Sequence, residues 1–364
     1  MKKLKLPLKR IDWYIIKQFL GTFIFAITLI LSISVVFDVN EKIDDFLKPN
    51  VTLKEIIFDY YLNFIPYFGN LFSPLFTFVA VIFFTSKLAE RSEVIAMLAS
   101  GMSFRRLMVP YLISAAIISF VTFILSAFII PPANITRINF QNKYVSNKAV
   151  SYAHNVQLEI EKGVIAYFDR YDAPSSMGYR FSLEHFDGKR LTSRLTANSI
   201  KHDSAYQWTI IDYVIRDFDG MYEHISSGTR KDTVLKILPS DFLISVNDCE
   251  KMTTPELKEH IDRQSERGIG NMELFEIEYH KRYAAILTAF ILTTIGVSLS
   301  SKKIKGGMGF NIGVGLALSF GYILFVTVTS TFAVSGSMSP LMAAWVPNIV
   351  YSVIAFFLYL KAPR

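Results

Sequence analysis

A single cysteine, Cys249, excludes any internal disulfide, so an exported domain of this chain has to fold without covalent staples. No Gly-x4-Gly-Lys-Ser/Thr loop is present, which excludes nucleotide binding of the P-loop kind. No Gly-x-Ser-x-Gly elbow occurs either. The histidines (154, 185, 202, 224, 260 and 280) are scattered, with no His-Glu-x-x-His and no paired metal spacing. Charge is nearly missing from six long apolar stretches, so the buried ion pairs of a proton-driven carrier are not expected inside them. Nothing in the chain reads as a catalytic or metal site. The expectation is a non-enzymatic protein with no cofactor of its own.

What is abundant is apolar and aromatic mass. Half of the 364 residues are apolar, with 31 Phe and 18 Tyr, and the mean hydropathy is +0.34. A helix needs about 20 mostly apolar residues to cross the hydrocarbon. Stretches 14–37, 60–86, 107–130, 282–300, 309–332 and 341–360 meet that length. Pro66, Pro74, Pro110 and Pro347 are tolerable in such helices, where neighbours satisfy the freed carbonyls. The first stretch exceeds the apolar core of a cleavable leader and ends without an Ala-x-Ala site, so it reads as a retained anchor.

The formal charge of +7 could indicate nucleic acid, but its distribution says otherwise. Lys2, Lys3, Lys5, Lys9, Arg10, Lys17, Lys87, Arg91, Arg105, Arg106, Lys302, Lys303, Lys305, Lys361 and Arg364 fall on one side of a six-pass arrangement, opposed by Asp12, Glu90 and Glu93. The short loop 38–59 on the other side is acidic. Lysine and arginine concentrate on cytoplasmic loops, so both termini are expected in the cytoplasm, and no nucleic-acid partner is implied.

Residues 131–280 are polar and read as an insert on the outer side. Val156-Gln-Leu-Glu-Ile160, Gly163-Val-Ile-Ala-Tyr-Phe168, Tyr179-Arg-Phe-Ser-Leu183 and Trp208-Thr-Ile-Ile-Asp-Tyr-Val-Ile215 have strand character. Asp187-Gly188 and Asp219-Gly220 supply turns. Short strands with repeated turns predict an antiparallel sandwich or jelly roll. A polar helix follows at 256–266, broken by Gly268 and Gly270 before a second helical run enters the fourth span. The implied organisation is residues 1–130 with spans one to three, 131–250 as a β-domain, 251–281 as a helical connector, and 282–364 with spans four to six.

The most informative stretch is Lys87-Leu-Ala-Glu-Arg-Ser-Glu-Val-Ile-Ala-Met-Leu-Ala-Ser-Gly-Met-Ser-Phe-Arg-Arg106, between spans two and three. Helical spacing puts Leu88, Ile95 and Leu98 on one face of a short helix at about 88–100, with Glu90, Arg91 and Glu93 off that face. Gly101 stops the helix and Ser103 can cap the next one. Such a helix suits the groove of a soluble partner; lying on the lipid interface is the alternative.

Glu93-x-x-Ala96-x-x-Ala99-x-Gly101-x-Ser103 resembles the coupling-helix signature of the LptF/LptG lipopolysaccharide-export permeases. Phe37-Asp-Val-Asn-Glu-Lys42 at the exit of the first span is similar to the LptG side of that family. The helix Met252-Thr-Thr-Pro-Glu-Leu-Lys-Glu-His-Ile261 and the later Glu276-x-x-x-His280-Lys-Arg282 resemble its approach to span four. The 3 + 3 spans around a β-rich insert extend the resemblance over nearly the whole chain. Ala284-Ala285-Ile286 departs from it, standing where many members place a proline.

The resemblance implies an α-helical inner-membrane protein with an inserted periplasmic jelly-roll-like domain, acting as one permease of an ABC exporter. The implied partners are a second LptF/LptG-type permease, an LptB-type ATPase dimer that holds the ATP and magnesium, and LptC/LptA-type jelly-roll proteins that receive lipopolysaccharide. Glu93 would then face basic residues of the ATPase, where the alternative is a solvated surface charge. Lys42, Lys281 and Arg282 would meet lipid-A phosphates or serve as interfacial anchors. Phe19, Phe23, Ile27 and Ile30 form one stripe of span one, facing acyl chains or other helices. Gly309, Gly313, Ala317 and Gly321 in span five allow close helix packing, or a sliding contact with the second permease. A lipoprotein-releasing permease and a membrane scaffold for a β-domain are the competing readings.

Overall fold

The computed structural model describes residues 9–145, 152–239, 246–266, 272–302 and 307–362. Lys2, Lys3, Lys5, Gly268, Gly270, Lys303, Lys305 and Arg364, all used above, lie outside them. The chain divides into two compact units, Met1–Val145 with Glu276–Arg364, and Ser146–Phe275.

The first unit is helical. Six helices are long and apolar enough to cross a membrane: Arg10–Glu41, Leu53–Glu90, Phe104–Val145, Glu273–Ser300, Met308–Val334 and Pro340–Leu360, here spans 1 to 6. Each matches an expected stretch. The ends run further than hydropathy predicted, most clearly in span 3, whose helix continues through Ile130–Phe140 to Val145 instead of stopping near 130. Span 2 packs against spans 1, 3 and 5 and supplies much of the core through Phe78, Ala80, Val81 and Ile82, all fully buried. Glycine permits the closest approach. A Cβ at Gly296 of span 4 would lie 2.3 Å from Val81 Cγ1, and one at Gly315 of span 5 would lie 2.2 Å from Ile82 Cδ1. One group of polar side chains in spans 4 to 6 is mutually hydrogen-bonded, the favourable arrangement in hydrocarbon. Tyr322 donates to Asn348 Oδ1 at 2.8 Å, Thr288 Oγ1 lies 2.7 Å from the Tyr322 hydroxyl, and Asn348 Nδ2 donates to the Ala284 carbonyl at 2.7 Å.

The second unit holds a six-stranded antiparallel sheet in sequential order: β1 (Tyr152–Glu161), β2 (Val164–Asp172), β3 (Met177–Asp187), β4 (Arg190–Ser204), β5 (Gln207–Asp219) and β6 (Tyr222–Val234). The Asp-Gly turns behave as expected. Asp187 pairs with Arg190 and Asp219 with Tyr222, and Gly188 and Gly220 take positive φ in these two-residue loops. Strands β4 and β6 were not anticipated, because their residues are mostly polar and β6 is almost wholly exposed.

The ladder is interrupted along one line. The register passes over Asp169, Arg180, Asn198 and Asp212, one residue on each of β2 to β5. Arg180 and Asp212 hold φ of 51° there. Core-facing parity changes across this line, from Ala166 and Phe168 to Tyr171 on β2, and from Trp208 and Ile210 to Tyr213 and Ile215 on β5. A two-residue period cannot survive such a break, so each strand presents a different set of side chains to the core on its two sides. The following helix, Thr254–Glu266, begins with Thr253 and Glu256 bonded side chain to side chain at 2.8 Å. Hydrogen bonds from the Thr253 hydroxyl and backbone hold the Glu256 carboxyl below its usual range.

Candidate functional site

The loop between spans 2 and 3 folds as a single short helix, Glu93–Ala99, and not as the longer one expected over 88–100. Ser92 breaks the run with left-handed backbone, φ 60° and ψ 14°. Leu88 therefore belongs to the last turn of span 2, where it is buried in the core. Leu88, Ile95 and Leu98 do not share a face: Ile95 is 52% exposed, and Leu98 is half-buried against the core. The face that grips the bundle is Val94 and Met97, which helical spacing from Leu88 had hidden. Glu90 is exposed at the end of span 2, Glu93 is half-buried at the first helical position, and Ala96 and Ala99 are exposed.

The helix ends as its sequence predicts. Gly101 takes φ +88°, its N–H donates to the Leu98 carbonyl at 3.0 Å, and the Met102 N–H donates to the Met97 carbonyl at 3.3 Å. This is a Schellman closure, which needs left-handed backbone at the glycine. Ser103 caps the next helix, its hydroxyl accepting from the Arg106 N–H at 3.3 Å. Gly101→Val should therefore lower the thermal midpoint of the purified chain by the equivalent of about 1–2 kcal/mol, the penalty of left-handed backbone for a side-chain-bearing residue. Gly101→Asn should cost less, and equal midpoints for the two would contradict the assignment.

Beside this loop lies an ion pair on a buried carboxylate that sequence reasoning missed. Arg106, in the first turn of span 3, grips Asp12, in the first turn of span 1, with Nη1 donating to Oδ1 at 2.9 Å and Nη2 to Oδ2 at 2.5 Å. The Asp12 side chain is 2% exposed, and its Oδ2 also accepts from the Lys9 N–H at 2.7 Å. Both residues lie just outside the apolar stretches 14–37 and 107–130, so the expectation about charge inside those stretches did not bear on them. The partners are 94 residues apart, and no local pattern records the pairing.

The other end of span 1 carries a second cluster. A π-helical turn at Ile56–Tyr61 sets two consecutive tyrosines on one carboxylate, with Tyr60 donating to Asp38 Oδ1 at 3.1 Å and Tyr61 to Asp38 Oδ2 at 3.0 Å. Lys42 pairs with the same Asp38 and donates to the Tyr60 hydroxyl at 2.7 Å. Arg282 is 4% exposed, and its Nε donates to Glu278 Oε1 at 2.9 Å; Lys281 is half-buried. The three cations thus do not form one group of equally exposed charges. Among the span 1 residues, Phe19 is fully buried against Tyr111 with ring centres 5.9 Å apart, Phe23 packs on the same core, and Ile27 and Ile30 are half-buried. The exposed side of span 1 is made by Ile24, Phe25, Val36 and Phe37.

In span 5 the small residues divide by function. A Cβ at Gly309 or Gly313 would meet nothing within 4 Å, and Ala317 is exposed; a Cβ at Gly321 would lie 3.1 Å from the Tyr351 hydroxyl. Contact with this chain's own helices is made by Gly321 and, more closely, by Gly315, which lies two residues off the predicted stripe.

These six spans, the inserted antiparallel sheet and the loop helix agree with a direct comparison. The family model of the lipopolysaccharide export system permease LptF/LptG matches residues 13–361. The chain belongs to the LptF/LptG family. Comparison with curated proteins gives no match. As an LptF/LptG permease it is a multi-pass inner-membrane protein of the lipopolysaccharide export system, with a jelly-roll-like domain between spans 3 and 4. The match begins within the first helix and ends one residue past the last, so the β-unit, the loop helix and nearly all of the spans fall inside the family pattern.

Proposed function

We propose that this chain is a permease subunit of an ABC exporter that extracts lipopolysaccharide from the inner membrane and passes it to a periplasmic bridge. A separate ATPase drives it. The observation that carries this reading is the loop helix, fixed at both ends by left-handed backbone and seated by Val94 and Met97, while Ile95, Ala96 and Ala99 are left outward. A helix held this firmly passes on a push instead of absorbing it. Its outward face suits an apolar groove, and Glu93 suits a basic rim.

The concentration of Lys and Arg beside this loop supports a cytoplasmic loop and termini and a periplasmic β-unit. An LptB-type ATPase dimer binds the loop, a second LptF/LptG-type permease completes the cavity, and LptC/LptA-type proteins receive the lipid. The unoccupied stripe Gly309, Gly313 and Ala317 suits close approach by the second permease. Lys281 is the cation offered to lipid-A phosphates, Lys42 reaching them only by leaving Asp38 and Tyr60, and the exposed apolar side of span 1 is offered to acyl chains.

Glu93→Lys is expected to leave membrane insertion intact while reducing ATP-driven lipid release roughly tenfold, within the ordinary range of coupling between sites. Co-purification with the ATPase and release from proteoliposomes measure both parts. Wild-type association together with wild-type release in Glu93→Lys would reject the assignment.

A further inference from the structure

We propose that Asp12 and Arg106 are positioning residues that transmit movement of the loop helix to span 1. The inference rests on the export reading above and assigns a route inside this chain.

The loop helix has short connections on both sides, through Arg91 and Ser92 to span 2 and through the Schellman closure and Ser103 cap to span 3. Arg106 is the third residue of the span 3 helix, so it moves with whatever moves that cap. Its guanidinium makes two parallel hydrogen bonds to Asp12, which fix orientation as well as distance, as a single ammonium contact would not. Asp12 is in turn held to its own helix start by the Lys9 N–H.

Span 1 also packs on span 2 and is tied to Tyr60 and Tyr61 through Asp38, but most of its buried residues lie at the Arg106 end. Half of its residues are exposed within this chain, and its buried residues are Asp12, Ile15, Ile16, Phe19 and Asp38. Four of these five lie in its first turns, at the Arg106 end. A displacement of span 3 at its cap therefore reaches span 1 through this pair and the apolar contacts of Ile15 and Phe19 beside it. Apolar contacts slide at little cost, whereas a bidentate pair on a desolvated carboxylate is directional, and leaving that carboxylate unpaired is costly. The pair is thus the directional link between the start of span 3 and the start of span 1, able to carry torque and tilt that the apolar contacts beside it do not.

The test uses the complete exporter in proteoliposomes, with lipid released per ATP hydrolysed as the readout. Assembly is checked by co-elution with the ATPase. Arg106→Lys keeps the charge and loses the fork, Arg106→Gln removes both, and the pair Asp12→Arg with Arg106→Asp reverses the partners. Arg106→Gln and Arg106→Lys are expected to assemble and hydrolyse ATP while releasing at least about fivefold less lipid per ATP, the lower end of ordinary coupling strengths. The reversed pair should recover part of that loss. Wild-type release per ATP in both single variants overturns the inference alone, as does failure of every variant to assemble, which would make the pair merely structural. A wild-type exporter without ATP-driven release overturns the export reading and this inference with it.

Discussion

Gly296→Val is expected to destabilise the helical unit more than any other glycine substitution in the spans. Val81 Cγ1 lies 2.3 Å from where the new Cβ would stand, and two Phe78 ring carbons lie at 3.3 Å. Val81 and Phe78 are fully buried, and valine's branched side chain has one stiff torsion, so neither neighbour can move aside cheaply. Overpacking of this kind costs about 1–3 kcal/mol, with more where the surroundings are rigid. Gly315→Ala meets the flexible end of Ile82 instead and should cost less. Gly309→Ala and Gly313→Ala meet open space, so the thermal midpoint of the isolated chain should not fall. Thermal unfolding of the four variants in detergent checks the order. An unchanged midpoint for Gly296→Val, or a fall for Gly313→Ala, would show that span 4 and span 5 do not pack on span 2 as described.

Trp208→Ala should have the largest effect in the β-unit. The indole is 1% exposed, lies 6.0 Å from the Phe168 ring and 6.2 Å from Tyr171, and donates from Nε1 to the Ile237 carbonyl at 3.2 Å. Truncating a buried tryptophan to alanine costs about 3–5 kcal/mol, through lost burial and the cavity left behind. Trp208→Phe retains most of the packing and leaves the Ile237 carbonyl without that donor, a penalty of about 1–3 kcal/mol. Hydrogen exchange in β2 to β5 of the full chain is the measurement. Protection in Trp208→Ala equal to wild type would mean that the core lies elsewhere.

Ser92 illustrates why the loop helix was only partly legible. Its left-handed backbone resets the helical phase between Leu88 and Val94, and serine carries no strong signal for that conformation. A spacing argument that runs through it counts residues of two helices as one face. Gly101 and Ser103 were readable because a glycine stop and a serine cap act within one turn. The Asp12–Arg106 pair, the two tyrosines on Asp38 and the parity change in β2 to β5 were not, since each depends on residues brought together from separate elements.

Sequence alone was enough to specify six crossings, a polar β-rich insert after the third, two Asp-Gly hairpins, a glycine-stopped loop helix and the family. These follow from hydropathy, turn chemistry and local spacing, whose physical range is a few residues. Tertiary structure decided which glycines are filled against, which side of the loop helix is buried, which side of span 1 stays open, and which charges are already paired. Those outcomes depend on packing and desolvation between segments far apart in the chain, and neither leaves a periodic trace in the order of residues.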